Sequence, residues 1–249
     1  MLTEERYQHI LNRVEENDIV TINELLVPLK ASESTIRRDL QSLESKGLLT
    51  RIHGGAKKRQ ALNFEATMDE KQQKFQKEKI AIAKKAADQI KHSDVIYLDA
   101  GTTTIEIIPF IPIHSSIKVV TNSVKHAALL IDRGIDTIIL GGSIKLATNA
   151  VLGNFSLQQL QQYRFDKAFV GMNGAHLEAG FTTPDPEEAA AKKLAMSQSQ
   201  TAFVLLDSSK VQQTTFTQVA PLDAATIITN QLPKELAKKI RLHTTILEV

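Results

Sequence analysis

The chain has 249 residues, 42% of them hydrophobic and 23% charged, with a formal net charge of +2. That balance excludes a disordered chain and leaves length for a substantial core, in one large domain or two ordinary ones. Cysteine and tryptophan are absent, which excludes disulfides, a cysteine zinc site and a thiol nucleophile, and argues against single-strand binding on aromatic platforms.

A first helix starts around Thr3, a suitable cap with the acids Glu4 and Glu5 behind it, and carries Ile10, Leu11 and Val14 at helical spacing. Asn17-Asp18 reads as a turn and Ile19–Thr21 as a very short strand. A second helix carries Ile22, Leu25, Leu26 and Leu29. Pro28 inside it predicts a kink or a late break, because proline removes a hydrogen bond and clashes with the preceding turn. Ala31-Ser32 makes a short turn, and Ser32 caps a third helix that runs to about Lys46 and stops at Gly47. The stripe Ile36, Leu40, Leu43 faces a small core, and the other faces carry Ser34, Thr35, Arg37, Arg38, Gln41, Ser42 and Ser45. Leu48–Ala56 alternates loosely around the pair Gly54-Gly55 and reads as a small hairpin wing.

The charge is unevenly spread. Lys30, Arg37, Arg38, Lys46, Arg51, Lys57, Lys58 and Arg59 face only Glu33, Asp39 and Glu44. A basic stripe in a near-neutral protein is an electrostatic footprint for nucleic acid. Helix, helix, short turn, basic helix, hairpin is the order of a winged helix-turn-helix. Ser32, Ser34, Thr35, Arg37, Arg38, Gln41, Arg51 and His53 are the candidate contacts to double-stranded operator DNA, hydroxyls and Gln reaching base edges, Arg reaching guanine or phosphate. Asp39 reads as a partner for an arginine or a local cap. These features place a DNA-binding domain at residues 1–57 and a polar linker at 58–77, helical toward its end, with Lys57-Lys58-Arg59 at the junction.

Residues 78–249 change pattern. A helix spans Glu78 to about Ile90, with Ala83, Ala86, Ala87 and Ile90 on one face. Short apolar runs follow at 95–98, 118–120, 137–140, 168–170, 202–206, 226–228 and 245–247, mostly separated by helical stretches. Such alternation predicts an α/β domain with a mostly parallel sheet covered on both faces, and ligands bind beyond the C-terminal ends of such strands. After the first run, Asp99-Ala100-Gly101-Thr102-Thr103-Thr104 predicts a hydroxyl-rich anion loop opening a helix. Later strand ends supply Thr121-Asn122-Ser123, Gly141-Gly142-Ser143-Ile144-Lys145 and Asp207-Ser208-Ser209-Lys210, while Glu188 and Lys192 stand four apart on a helix. Carboxylates that accept from hydroxyls, beside a cradle for phosphate, suit a phosphorylated sugar. Neither G-x-G-x-x-G nor a P-loop occurs, and no cofactor or metal is expected.

The string Ser32-Glu33-Ser34-Thr35-Ile36-Arg37-Arg38-Asp39-Leu40, then Leu43-Glu44, then Arg51-Ile52-His53-Gly54-Gly55-Ala56, resembles the DNA-binding signature of the DeoR family of bacterial repressors. The likeness continues through Glu78-Lys79, Asp99–Thr103, Thr121–Ser123, Leu140–Gly142, Gly153, Phe165–Phe169, Glu188-Ala189, Lys192 and Asp207–Lys210. It implies a sensor domain similar in fold to ribose-5-phosphate isomerase that binds phosphorylated sugars without turning them over. The effector residues it implies are Asp99, Gly101, Thr102, Thr103, Thr121, Asn122, Gly141, Gly142, Lys145, Gly153, Asn173, Glu188, Lys192, Asp207 and Lys210. The family commonly has Arg where this chain has Lys145, which keeps the charge and loses the bidentate fork. Ile107–Phe110, Phe165–Gly174, Thr182–Asp185 and Ile227–Asn230 are similar to the fructose-operon repressors of Gram-positive bacteria. That likeness implies fructose 1-phosphate as effector, and the lactose-system repressors, which answer to tagatose 6-phosphate, are the alternative. A homo-oligomer, dimer or tetramer, is expected.

Two other readings compete. An isomerase could use Asp99, Glu188, Asp207 and Lys210 for acid–base chemistry, but it has no need of a winged helix-turn-helix. A DNA-binding protein whose second domain only oligomerises has no need of polar strand ends. No run approaches about 18 apolar residues and Met1–Asp18 is charged throughout, so neither a membrane span nor a secretory signal is expected, and a cytoplasmic location is.

Overall fold

The structure, a computed structural model, describes residues 2–52, 54–58, 61–113 and 116–249. His53 of the wing and Arg59 of the basic triplet lie outside the described residues. Contacts divide the chain after Ala61 into two compact units.

The first unit runs α1 (Thr3–Asn17), β1 (Ile19–Thr21), α2 (Ile22–Leu29), α3 (Glu33–Ser45), β2 (Leu49–Ile52) and β3 (Gly55–Lys58). Thr3 lies inside α1 rather than capping it. Thr21 caps α2 instead: its backbone N–H donates to the Glu24 carboxylate at 2.7 Å and its hydroxyl accepts from the Glu24 backbone N–H at 3.3 Å, a reciprocal box that satisfies two free donors. Pro28 sits in the last turn of α2, which ends one residue later, with Lys30 left-handed at φ 47°. The proline therefore accompanies the late break. Ile10, Val14, Leu25, Leu29, Ile36, Leu40 and Leu43 form the small core. The wing strands recruit β1 into an antiparallel sheet of order β1-β3-β2. Gly55 permits this close approach, since a Cβ there would stand 2.0 Å from the Val20 carbonyl oxygen.

The second unit begins at Leu62, so most of the stretch expected as a linker over 58–77 is packed within it. Its elements are α4 (Met68–Gln73), α5 (Gln76–Ala87), β4 (Val95–Leu98), β5 (Lys118–Thr121), α6 (Val124–Asp132), β6 (Asp136–Ile139), β7 (Ser143–Lys145), β8 (Ala150–Leu152), α7 (Asn154–Gln161) and β9 (Phe165–Gly171). Then come β10 (Gly174–His176), β11 (Gly180–Thr183), α8 (Pro186–Ser197), β12 (Ser199–Leu205), β13 (Thr217–Ala220), β14 (Thr226–Thr229), α9 (Lys234–Arg241) and β15 (Ile246–Glu248). Seven strands pair in parallel in the order β15-β14-β12-β9-β4-β5-β6. Helices cover both faces, and the two halves of the core contain Tyr97, Phe165 and Val204 on one side and Ile96, Phe169 and Phe203 on the other. A hairpin β7-β8 and an antiparallel sheet β10-β11-β13 stand apart from the main sheet.

The strand order fixes where a ligand can go. From β4 the chain proceeds to β5 and β6 on one side, then returns to β9 on the other and continues outward. The reversal opens a crevice beyond the C-terminal ends of β4 and β9, the usual ligand position in open α/β sheets.

Candidate functional site

In the first unit, α3 presents Ser34, Arg37, Arg38 and Gln41 at i, i+3, i+4 and i+7, all exposed. That spacing makes one polar stripe opposite Ile36, Leu40 and Leu43. Ser32 caps the helix, accepting from the Thr35 backbone N–H at 3.3 Å, and its Oγ lies 3.0 Å from Ser34 Oγ and 2.9 Å from Thr35 Oγ1. Three hydroxyls thus converge at a helix N-terminus, where the dipole favours a phosphate. Arg37 leans on Glu33 at 2.5 Å; an exposed i,i+4 pair contributes only about 0.3–0.5 kcal/mol, so it holds the guanidinium loosely. Arg51 ties the wing to α3: its backbone N–H donates to Glu44 Oε1 at 2.9 Å, and its guanidinium lies 3.8 Å from Oε2. Asp39 is buried and accepts a fork from Arg6, Nε at 2.7 Å and Nη2 at 3.0 Å. It fastens α1 to α3 and faces away from any DNA-reading role. The hydrogen bond to Asp39 raises the already high pKa of Arg6.

In the second unit a narrow cleft, open to solvent, lies in the crevice beyond β4 and β9. Ala100–Thr103 follow β4 and Gly171–Asn173 end β9, with Thr148, Glu188, Lys192, Leu205 and Lys210 around them and Met68 and Lys71 of α4 above. α8 is aimed by its own start. Asp185 accepts from the backbone N–H of Glu187 at 2.7 Å and of Glu188 at 3.0 Å, with Pro186 in the first turn. Glu188 and Lys192, four residues apart, then face the cleft.

A chain of ion pairs runs along the floor. Asp99 meets Lys192 at 2.5 Å, and Lys192 lies 3.9 Å from Glu188. Lys145 reaches Glu188 at 3.0 Å and Asp185 at 2.8 Å, and Thr148 Oγ1 donates to Glu188 at 2.9 Å. Glu65 closes the chain, 4.0 Å from Lys145 and in direct contact with Lys71. Burial opposes the charge on Lys192, but Asp99 and Glu188 outweigh it and hold the ammonium above its ordinary value. Burial likewise works against the Glu188 carboxylate, yet Lys192 and Lys145 keep it below its ordinary range. The opposite holds at the edge of the cleft. Burial pulls Lys210 down, only partly opposed by Asp207 at 3.5 Å and reinforced by Lys71. Burial and then Lys210 bring Lys79 down to about 8. The Lys79 ammonium donates to the Lys71 carbonyl behind the cleft, while the under-compensated Lys210 beside the hydroxyl loop and Lys71 forms a spot that an anion would stabilise.

Of the expected effector residues, Gly101, Thr102, Thr103, Asn173, Glu188, Lys192 and Lys210 line the cleft. Asp99, Lys145 and Asp207 reach it through their lysine or carboxylate partners. Thr121 and Asn122 turn to the backbone: Thr121 Oγ1 donates to the Leu98 carbonyl at 2.7 Å, and Asn122 Oδ1 accepts from the Ala100 N–H at 2.8 Å. They brace the loop after β4. Gly141, Gly142 and Gly153 line a different cleft, with Phe155 and Gln159. The helix expected after Thr104 is a short 3₁₀ helix, Ile105–Phe110, so little helix dipole points at the loop. Thr104 itself faces the core, donating to the Asp99 carbonyl at 2.6 Å and meeting His126 Nε2 at 3.2 Å. Sequence reading missed Glu65, Lys71, Thr148 and Asp185. Two signals were available: Thr67-x-x-Glu70, a capping box that starts α4, and Asp185-Pro186, a cap followed by an N1 proline.

Comparison with known proteins gives a concordant picture. Residues 6–60 match the DeoR-like helix-turn-helix domain and residues 74–231 the DeoR C terminal sensor domain. The chain is 49% identical over 229 residues to the uncharacterized HTH-type transcriptional regulator FruR of Bacillus subtilis, covering 92% of this chain and 91% of that one. It is 36% identical over 249 residues to the lactose phosphotransferase system repressor of Lactococcus lactis, covering 98% and 97%. Among solved structures, ribose 5-phosphate isomerase A from Methanocaldococcus jannaschii is similar at a TM-score of 0.41 and 19% identity, over about half of each chain (53% and 53%). Among the described residues no helix is long and apolar enough to cross a membrane.

Proposed function

The chain belongs to the DeoR family of helix-turn-helix transcriptional regulators, and from that premise we propose that it is a cytoplasmic repressor of a sugar-utilisation operon, most specifically a fructose operon, released from its operator by fructose 1-phosphate. Its relatives are regulators and repressors, and it acts as a regulator rather than an enzyme. The observation that carries the effector reading is the cleft at the sheet reversal. There Lys210, Lys71 and the Gly101–Thr103 loop stand beside the carboxylates Glu188 and Asp99. The cationic edge takes the phosphate, and the carboxylates accept hydrogen bonds from sugar hydroxyls.

In this reading α3 enters the major groove, with Ser34, Arg37, Arg38 and Gln41 toward the DNA and Arg51 of the wing on the backbone. Subunits associate into a homo-oligomer so that paired helices meet repeated half-sites. The effector acts by binding one arrangement of the protein more tightly than the other. A tenfold loss of operator affinity needs about 1.4 kcal/mol of such coupling.

The test is binding to the DNA upstream of the chain's own gene, at fixed salt, against a panel of sugar phosphates. Release by fructose 1-phosphate alone is expected. Release by tagatose 6-phosphate alone would move the assignment to a lactose system, and release by none of the panel would overturn the effector reading.

A further inference from the structure

The carboxylate of Glu65 sits where an anionic ligand would be drawn. Its side chain is 9% exposed. Oε1 contacts the Lys71 ammonium and accepts from Asn173 Nδ2 at 3.2 Å, while Oε2 lies 4.0 Å from Lys145. That same Oε2 is buried and has no hydrogen-bond partner. A buried carboxylate oxygen left without a donor is an unfavourable arrangement, and it marks Glu65 as an occupant poorly matched to the place it fills.

The charges sharpen the point. The connected ion pairs join Lys71, Lys145 and Lys192 to Glu65, Asp99, Asp185 and Glu188. This group already carries one carboxylate more than it has ammoniums. Within this group a phosphoryl group competes with four carboxylates for three ammoniums, and Lys71, which lines the cleft with Lys210, is the one that Glu65 holds. Asp99 is fixed at the end of β4, and Asp185 and Glu188 are fixed at the start of α8. Glu65 is on irregular backbone between Ala61 and the short helix α4. Among the described residues two backbone hydrogen bonds tie the segment to the rest of the unit, Phe216 N–H to the Leu62 carbonyl at 2.9 Å and Met68 N–H to the Ala147 carbonyl at 3.1 Å. It is the carboxylate that can move.

We propose that Glu65 is a built-in competitor of the effector: the ligand's phosphate displaces its carboxylate from Lys71 and Asn173, and the stretch from Leu62 to α4 is released. Lys71 then becomes a phosphate ligand. Glu65 follows Ala61, where the first unit ends, by four positions, so the displaced stretch is the one that leads directly to the DNA-binding unit. This deepens the effector reading above and rests on it for the identity of the ligand, but the displacement itself needs only a phosphate anion.

The experiment compares full-length wild type, Glu65→Gln and Glu65→Ala without DNA. Each is titrated with fructose 1-phosphate and, separately, with inorganic phosphate at constant ionic strength, and hydrogen exchange is followed at Leu62–Met68, the stretch that leads into α4. Both variants are expected to bind at least tenfold more tightly than wild type. Exchange over Leu62–Met68 is expected to accelerate on ligand binding in wild type and to be fast without ligand in the variants. Sugar phosphate bound with unchanged affinity in both variants would overturn the displacement and leave the effector reading standing. Inorganic phosphate bound more tightly by the variants, with no sugar phosphate bound by any form, would keep the displacement and overturn the effector reading. Binding of neither ligand by any form would overturn both.

Discussion

Replacing Lys192 by Met keeps the length of the side chain and removes the charge between Asp99 and Glu188. Lys192 and Asp99 are 4% and 1% exposed, so water cannot compensate. Removing one partner of a buried ion pair typically costs about 3–5 kcal/mol, because the other charge is left behind. Burial already pushes the Asp99 carboxyl above its ordinary value, and Lys192 is the group that pulls against it. In Lys192→Met the folded-state pKa of Asp99 therefore rises further above its unfolded value. A carboxyl raised in the folded state contributes stability that is fully present below the unfolded pKa and is lost as pH rises through the folded one. The deficit against wild type should be about 3–5 kcal/mol at pH 7 and clearly smaller near pH 4.5. Urea unfolding followed by tyrosine fluorescence reads this, since Tyr97 and Tyr163 both lie in the second unit. Adding Asp99→Asn should recover most of the loss, because it removes the stranded charge. A loss below about 1 kcal/mol at pH 7, or an equal loss at both pH values, would refute the reasoning.

Other outcomes follow from single contacts. Arg38→Ala should weaken operator binding and lower the salt slope by about 0.9 for each phosphate contact removed; an unchanged slope and affinity in a filter-binding series would remove Arg38 from the interface. Asp39→Asn leaves the Arg6 guanidinium with a neutral partner in a mostly buried fork, so the first unit should lose roughly 1–3 kcal/mol of stability, read as lower operator binding on warming. His126 is buried between Ser123 and Thr104, and burial lowers its pKa to about 3. Its contribution is complete above the unfolded value near 6.5 and is lost as pH falls from there toward about 3. His126→Gln should flatten that acid-side slope, which approaches about 1.4 kcal/mol per pH unit.

The parallel sheet was legible because its inner strands are buried on both faces and read as continuous apolar runs; Val95–Leu98 and Thr226–Thr229 begin where the pattern begins. The antiparallel pieces were not. Ser143–Lys145 and Gly174–His176 are three residues long, too short for alternation to show. Asp99, Glu188 and Lys210 could be read as a group because they sit at ends of regular elements, where the fold rule puts ligands, and Lys192 because it stands one turn after Glu188 on α8. Glu65 and Lys71 could not. Their stretch is polar and aperiodic, and their role depends on contacts to Asn173 and Lys145, far away in the chain. The glycines carry a second constraint. Gly142 resembles part of a phosphate loop, yet its φ is +150° and a Cβ there would stand 2.4 Å from the Leu152 carbonyl oxygen. It is glycine for the close approach of β7 and β8.

The central claim is that the cleft beyond β4 and β9 controls DNA binding. Its most direct test is the operator Kd of full-length wild type and Lys210→Ala, with and without fructose 1-phosphate at one salt concentration. The two proteins should bind the operator equally without ligand. Ligand should raise the wild-type Kd at least tenfold and leave that of Lys210→Ala in place. An equal rise in both proteins would contradict the account, because the effector would then be acting somewhere other than this cleft.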